Sequence, residues 1–137
     1  MIQLRVFTAQ EANAMIPELT RMIASLREAR ACIEKKEAEI DALELVTESD
    51  SPSGCVLING EVEHLNRLIA DFNAAVDALH GHGCFLKDVD MGLVDFYSVV
   101  DGKVVYLCWK YGEEEVSHWH EVGEGYISRQ RLAKEKS

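Results

Sequence analysis

The sequence predicts an α+β fold in which a long antiparallel α-hairpin, resembling a coiled coil, is followed by a small antiparallel β-meander. Two observations predict it. In the first half, apolar residues recur every three or four positions through two long stretches, which is the period of a helix that buries one stripe. In the second half, Asp101-Gly102 separates two β-branched and aromatic runs, a strong signal for a two-residue hairpin turn. We expect residues 1–137 to form one domain.

The N-terminus predicts a short strand and then a capped, kinked helix. The first residues alternate between apolar and polar, so a half-buried strand is expected to join the edge of the meander. Its apolar members are Ile2, Leu4 and Val6. Thr8 and Glu11 then form a capping box. Pro17 interrupts the pattern, since an interior proline removes a hydrogen bond and clashes with the preceding turn. Helix 1, over residues 8–46, is therefore expected to consist of a short helix to about Met15 and then a kink or a fresh start at Pro17.

Two apolar seams predict the hairpin. The first seam runs through helix 1 with Lys36 as its single polar exception. Residues 47–54 are polar and contain Pro52, which predicts a loop. The second seam lies in helix 2, over residues 55–81, and ends at glycines. Because a two-helix hairpin buries only one stripe of each helix, we expect a second copy to cover it as a homodimeric four-helix bundle. The alternative is a monomer whose sheet folds along the hairpin.

The turn at residues 101 and 102 fixes the register of the first two long strands of the meander, which we place over residues 84–127. Asp95 then lies directly across from Cys108 on one face, and Val94 lies across from Trp109 on the drier face. An aspartate within an apolar strand is unusual, because a buried carboxylate without partners is unfavourable by several kcal/mol. The third strand, near residues 116–121, follows a loop of undetermined geometry, so its register stays open.

Composition restricts the class of protein. The chain carries 24 acidic and 14 basic residues, a net charge of −10, which argues against nucleic acid or an anionic membrane as partner. There is no signal-peptide or membrane-span pattern. The four cysteines are scattered without a C-x-x-C spacing, which is typical of reduced thiols in a cytoplasmic protein. Residues 128–137 form a basic tail, and we expect its last several residues to fray.

The chain also resembles a family of small bacterial proteins that is described only as a domain of unknown function. The shared motifs extend over nearly the whole chain. They are Phe7-Thr8, Glu11-Ala12-Asn13, Pro17, Lys87-Asp88, Gly92-Leu93-Val94-Asp95-Phe96, Asp101-Gly102, Leu107-Cys108-Trp109, Gly112-Glu113, Trp119-His120, Gly125 and Arg129. The resemblance implies a paired-helix region followed by a small β region. It implies no activity, and His80, His82 and His118 lie outside its pattern.

The candidate site residues cluster in the meander and its following turn. A divalent ion such as Zn²⁺, Mn²⁺ or Fe²⁺ would take carboxylates and imidazole, here Asp95, Glu113 and His120. A small-ligand site would use a wider set of residues. That set is Asp95, Cys108, Trp109, Trp119, His120 and Arg129. Thiol catalysis by Cys108 with His120 as base is a third hypothesis. The structural alternative is that Asp95 only accepts hydrogen bonds from backbone amides, Lys87 or Arg129.

Two function classes follow. The first is a non-enzymatic interaction module that homodimerises through its helical hairpin and docks another protein. The second is a divalent-metal or small-ligand-binding protein, with or without catalysis, whose site surrounds Asp95 and His120. No complete catalytic motif is present to decide between them. His80, His82 and Cys84 are close in sequence, but their glycine-separated spacing is not that of a zinc clip.

Overall fold

The computed structural model describes residues 5–47 and 51–132 and confirms the α+β fold, with a helical hairpin followed by an antiparallel sheet. The helices come first and the strands follow. They are α1 (Ala9–Ala14), α2 (Ile16–Val46), α3 (Pro52–His80), β1 (Phe85–Asp88), β2 (Leu93–Val100), β3 (Lys103–Lys110), β4 (His118–Glu121), a short 3-10 helix (Tyr126–Ser128) and β5 (Gln130–Arg131). All neighbouring strands are antiparallel, in the order β1-β2-β3-β4-β5.

The start of the helical region follows the capping and proline signals. The Thr8 hydroxyl accepts a hydrogen bond from the Glu11 amide, and the Glu11 carboxylate accepts one from the Thr8 amide. Helix α1 ends at Ala14, and the break falls at Met15. Pro17 lies in the first turn of α2, where its missing N–H leaves no hydrogen bond unmade.

The second long helix begins earlier than the sequence predicts. We expected a loop over residues 47–54 and a helix from residue 55, whereas α3 begins at Pro52. Proline suits the first helical position because that amide has no partner within the helix. The Ser51 hydroxyl accepts a hydrogen bond from the Gly54 amide at 3.1 Å, which caps the helix start.

Two compact units make up the chain. One consists of residues 1–24 with 77–137, and the other of residues 25–76. In the second unit, Lys36 lies 2.7 Å from Glu61 of α3 and 2.9 Å from Glu39 of its own helix, so its ammonium links the two helices. The single-domain organisation stays a prediction. Across the described residues, no helix has both the length and the apolar content needed to cross a bilayer.

The sheet of the first unit has the predicted register between β2 and β3, including Asp95 opposite Cys108 and Val94 opposite Trp109. Asp101 and Gly102 both have positive φ, 52° and 78°, as the two-residue turn requires. One face of the sheet is dry at its centre, where five side chains are at most 1% exposed. They are Val94, Phe96, Val105, Leu107 and Trp109. Phe7 covers part of this face, with its ring 5.0 Å from that of Phe96.

The ends of the meander differ from the prediction. The sheet has five strands, because Gln130–Arg131 of the expected basic tail pairs with β4 and the Leu132 amide donates to the Ser117 carbonyl at 2.8 Å. At the other end, the proposed edge strand falls partly outside the described residues, since Ile2 and Leu4 precede them. Residues 5–8 form no strand, although the Phe7 amide donates to the Tyr97 carbonyl at 2.7 Å. Tyr97 lies outside the part of β2 that pairs with β1, because that pairing ends at Asp95.

Candidate metal-binding site

Three neighbouring strands bring an acid, a thiol and an imidazole together on the second face of the sheet. Asp95 of β2 pairs with Cys108 of β3. His120 of β4 pairs with Tyr106, two positions from Cys108 on the same face, and is therefore a diagonal neighbour of the thiol. The three residues are nearly inaccessible to solvent: Asp95 is 3% exposed, Cys108 1% and His120 2%.

The turn after β3 places His120. Glu113 accepts a hydrogen bond from the Lys110 amide at 2.7 Å, which closes the start of this turn over residues 111–117. At its end, the Val116 amide donates to the Asn13 side-chain oxygen at 2.6 Å, which ties the chain to α1 just before β4. These contacts fix a register that the loop length left open. They put His120, and not Trp119, on the face of Asp95.

His120 is held at both ring nitrogens. Its Nδ1 lies 3.0 Å from the Glu121 carbonyl oxygen, and its Nε2 lies 3.0 Å from an oxygen of Asp95. A carbonyl oxygen only accepts, so Nδ1 must carry a hydrogen and donate it. A bare lone pair on Nε2 would repel the carboxylate, so one proton must also lie between Nε2 and Asp95. The pair therefore holds a single shared proton in the metal-free state.

Burial shapes the titration of the other two groups. Burial raises the pKa of the Asp95 carboxyl, against the opposing effects of the facing His120 and of the Lys87 ammonium. Burial also raises the pKa of the Cys108 thiol to about 12; the Asp95 charge adds to this rise and the Arg129 guanidinium opposes it. Without a metal ion, Cys108 is therefore a neutral thiol at physiological pH.

The three side chains can hold a metal ion. One ligand atom from each lies within 4.8 Å of the others. A tetrahedral Zn²⁺ site with bonds of about 2.0–2.3 Å has donor-to-donor distances of roughly 3.5 Å, so the three ligand atoms need to approach one another by at most about 1.3 Å. The set of sulfur, nitrogen and oxygen donors favours Zn²⁺, then Fe²⁺; the thiolate is a poor match for Mn²⁺. Three protein ligands would leave a fourth position free.

A cavity of about 300 Å³ opens beside the cluster. The cluster residues form part of its wall, and Lys87, Tyr106 and the loop over residues 122–126 form most of the rest. Tyr106 packs against the site, with its ring 5.5 Å from that of His120. Burial, followed by the neighbouring Tyr97, raises the pKa of Tyr106 to about 12, so its hydroxyl stays protonated.

Glu113 and Arg129, two of the predicted site residues, lie outside the metal cluster. The Arg129 guanidinium donates to both carboxylate oxygens of Glu113, each at 3.1 Å, and the pair is half-buried. Glu113 is therefore engaged by Arg129 in the metal-free protein, and its role as a third metal ligand stays a prediction. Glu113 and Arg129 are 16 residues apart, so their spacing in the sequence does not predict that they form an ion pair. His118 shares the face of Cys108 but is engaged by Ser117 at 3.0 Å.

Both tryptophans lie on the opposite face from the cluster. Trp109 pairs with Val94 and is fully buried, and its indole N–H donates to the Glu113 carbonyl at 3.0 Å. Trp119 pairs with Leu107 on that same dry face. Neither tryptophan shares a face with Asp95, because alternation along a strand sends neighbouring side chains to opposite faces. Their role in ligand binding stays a prediction.

The glycine-histidine segment after α3 forms no cluster with Cys84. The Cys84 thiol is buried and donates to the Leu79 carbonyl at 3.8 Å, and His82 lies 3.5 Å from Glu18. Asp95, Cys108 and His120 are the group of potential ligands found within residues 5–47 and 51–132. Tyr106 was not among the predicted site residues. Its position two residues before Cys108, on the same face of β3, is a signal that could have identified it.

A family model described as an uncharacterized conserved protein, DUF2203, matches residues 5–132. The match extends over both long helices and all five strands. Comparison with curated proteins and with solved structures gave no match.

Proposed function

We propose that this chain, which belongs to the DUF2203 family of uncharacterised conserved proteins, binds a divalent metal ion through Asp95, Cys108 and His120. Zn²⁺ is the preferred ion because it accepts thiolate, imidazole and carboxylate in one tetrahedral site. When bound, it would supply Lewis acidity at a fourth position facing the cavity.

The observation that carries the proposal is the hydrogen bond from His120 Nδ1 to the Glu121 carbonyl. Histidines that bind metal through one ring nitrogen almost always donate the other ring N–H to a backbone carbonyl or carboxylate. With Nδ1 bonded to the backbone, Nε2 of His120 faces Asp95, and the shared proton lies between them. A divalent ion would replace this proton and the thiol proton of Cys108.

The same geometry disfavours thiol catalysis. A cysteine nucleophile needs an imidazole nitrogen as its base, with the acid on the other nitrogen. Both nitrogens of His120 are already engaged, one by Asp95 and one by a backbone carbonyl. The raised pKa of Cys108, about 12, also opposes formation of a thiolate without a metal.

A purely structural role fits less well. A buried ion pair seldom adds net stability over apolar residues of similar volume, because both groups lose their hydration. In addition, the Cys108 thiol lies beside the Asp95–His120 pair, and the Asp95 carboxylate raises the pKa of this thiol. A buried acid, imidazole and thiol that converge next to a cavity are the arrangement expected of a site that binds a cation.

Metal loading of purified protein tests the proposal. Apo protein is incubated with Co²⁺, and free metal is removed by gel filtration. We expect one equivalent of bound cobalt and a thiolate-to-cobalt charge-transfer band. The variants Asp95→Asn and His120→Gln should lose the metal, and Cys108→Ser should lose the charge-transfer band.

Two substitutions serve as matched controls. Asp101→Asn changes an exposed aspartate in the same sheet, and Cys84→Ser changes a buried thiol outside the cluster. Both should retain full cobalt content. Wild type without cobalt, or unchanged content in all three site variants, contradicts the proposed function.

A second candidate, homodimerisation through residues 25–76, is supported by how little apolar surface that unit buries. Among its described residues, Leu26 and Ile40 are the buried hydrophobic side chains. Four large ones are strongly exposed near the hairpin tip, with exposed fractions between 49% and 87%. They are Leu45, Val46, Val56 and Leu57. Patches of this kind on a two-helix unit are commonly covered by a second chain.

Sedimentation equilibrium at micromolar concentration tests the dimer. Phe72 lines a groove of about 320 Å³ with Ile33 and Ile69 in this unit, so Phe72→Glu should shift the mass toward a monomer. Val99→Glu, at an exposed site on the sheet, is the control and should leave the mass unchanged. A compact wild-type monomer contradicts this second candidate.

We also propose a cytoplasmic location. Four cysteines are free, of which Cys32 and Cys55 are exposed. Exposed unpaired thiols are typical of a reducing compartment. Fractionation of cells that express the full chain would test the location, and recovery of the protein outside the cytoplasm would contradict it.

A further inference from the structure

We propose that the cavity beside the metal cluster binds a small molecule through an oxyanion group, with one oxygen at the open metal position and Lys87 as its second anchor. This inference rests on the proposed metal site and names the class of ligand that the site takes.

Lys87 is a cation placed at the cavity without a carboxylate of its own. Its ammonium lies 5.0 Å from the ring centre of Tyr106 and 5.6 Å from that of Phe85. Within the described residues 5–47 and 51–132, it makes no ion pair at 4.0 Å or less. Aromatic rings hold a lysine ammonium by cation-π attraction but leave its N–H donors unpaired.

The charges of the site favour an anion. A divalent ion bound by the Asp95 carboxylate and the Cys108 thiolate is formally neutral, and Lys87 then adds one positive charge. That charge belongs to the site, because Lys87 lines the same cavity as Asp95, Cys108 and His120. The neighbouring cation Arg129 is already neutralised by Glu113. Glu124 also lines the cavity but lies on an exposed turn.

The size and walls of the cavity restrict the ligand further. A volume of about 300 Å³ equals that of roughly ten water molecules, which accommodates a small molecule but not a folded partner. The other lining residues include Leu93, Tyr106, Val122 and Tyr126. A ligand with a charged oxyanion end and a small apolar body matches this division.

The test uses cobalt-loaded full-length protein freed of excess metal. Sodium acetate and sodium phosphate are titrated separately at constant ionic strength, and the visible cobalt bands report a change of coordination. We expect the bands to change saturably with at least one of the two anions. The anion that binds more tightly distinguishes a carboxylate from a phosphate ligand.

Three variants assign the second anchor. Lys87→Met removes the charge but keeps an unbranched side chain of similar length, and it should weaken anion binding roughly 10- to 100-fold, as loss of a charge-assisted hydrogen bond does. Lys87→Arg keeps the charge and should restore most of the affinity. Lys35→Met, which removes an exposed lysine from α2, is the control for net charge and should bind anions as the wild type does.

The outcomes separate this inference from the proposed function. Cobalt content is measured before any anion is added, and absence of cobalt overturns both the proposed metal site and the oxyanion ligand. Full cobalt content with no spectral response to either anion overturns the oxyanion ligand and leaves the metal site intact. A response that is equally strong in Lys87→Met overturns the role of Lys87.

Discussion

Replacement of Asp95 by asparagine separates the two roles of this side chain, which are to hold His120 and to bind metal. Asparagine has nearly the same shape, and its amide can donate to Nε2 of His120 across the present 3.0 Å separation. Nε2 can accept this bond because Nδ1 already carries the proton donated to the Glu121 carbonyl. Asp95→Ala, in contrast, leaves the buried Nε2 without a partner.

The expected magnitudes follow from these contacts. A buried polar atom without a partner lowers the free energy of unfolding by about 1–3 kcal/mol, so Asp95→Ala should be less stable than Asp95→Asn by that amount. Zn²⁺ at a hundredfold excess over its dissociation constant should stabilise the wild type by about 2.7 kcal/mol. Asp95→Asn should gain far less, because a neutral amide oxygen is not among the usual zinc ligands.

The pH dependence has a defined sign. The folded-state pKa of Asp95 is raised above its unfolded value, so its proton-linked stability is present at acid pH and is lost as pH rises through the folded pKa. The asparagine variant has no titratable group at this position. The stability of metal-free Asp95→Asn relative to wild type should therefore increase toward neutral and higher pH.

Urea unfolding followed by tryptophan fluorescence measures all three effects, because Trp109 is fully buried in the folded state. Asp101→Asn is the control: its residue lies at φ 52° in an exposed turn, a conformation that asparagine tolerates. Equal stabilisation of Asp95→Asn and wild type by Zn²⁺ would refute the metal assignment. Equal stability of the alanine and asparagine variants would refute the hydrogen-bond argument.

Three further predictions concern the thiols, the glycines and the β3–β4 turn. With a thiol reagent, the two exposed cysteines on the helices should react at once, whereas Cys84 and Cys108 should react only on unfolding, because burial raises their pKa values to about 11 and about 12; four fast thiols in native protein would contradict this. Gly60→Ala should raise the free energy of unfolding by about 0.5–1 kcal/mol, since the added methyl meets no neighbouring atom in α3. Gly92→Ala should lower the free energy of unfolding, because its φ is +68° and the added methyl would clash with Cβ of Tyr111; chemical denaturation of both variants checks the opposite signs. Glu113→Ala should destabilise the protein by about 1–3 kcal/mol and more than Glu113→Gln, which can still accept from the Lys110 amide; equal midpoints in urea would contradict that order.

Short-range signals predicted the parts of the fold that are decided within a few residues. Thr8 and Glu11 set the helix start, and the break at Met15 follows from Pro17. The Asp101-Gly102 turn predicted the register of β2 and β3, and with it the adjacency of Asp95 and Cys108. The early start of α3 at Pro52 was missed, because a proline in a polar segment is equally typical of a loop and of a first helical position.

The sequence by itself determined an α+β chain with a helical hairpin and one acid-thiol pair, because turn chemistry, capping and hydrophobic period act between near neighbours. Only the tertiary structure decided which side chains lie beside that pair. The β4 register depends on distant contacts, such as that of Asn13 with the Val116 amide, and it places His120 rather than Trp119 beside the pair. Glu113 is paired with Arg129, which comes near it because the following strand, β5, pairs with β4. Long-range pairings of this kind depend on loop paths whose closure the local sequence does not encode.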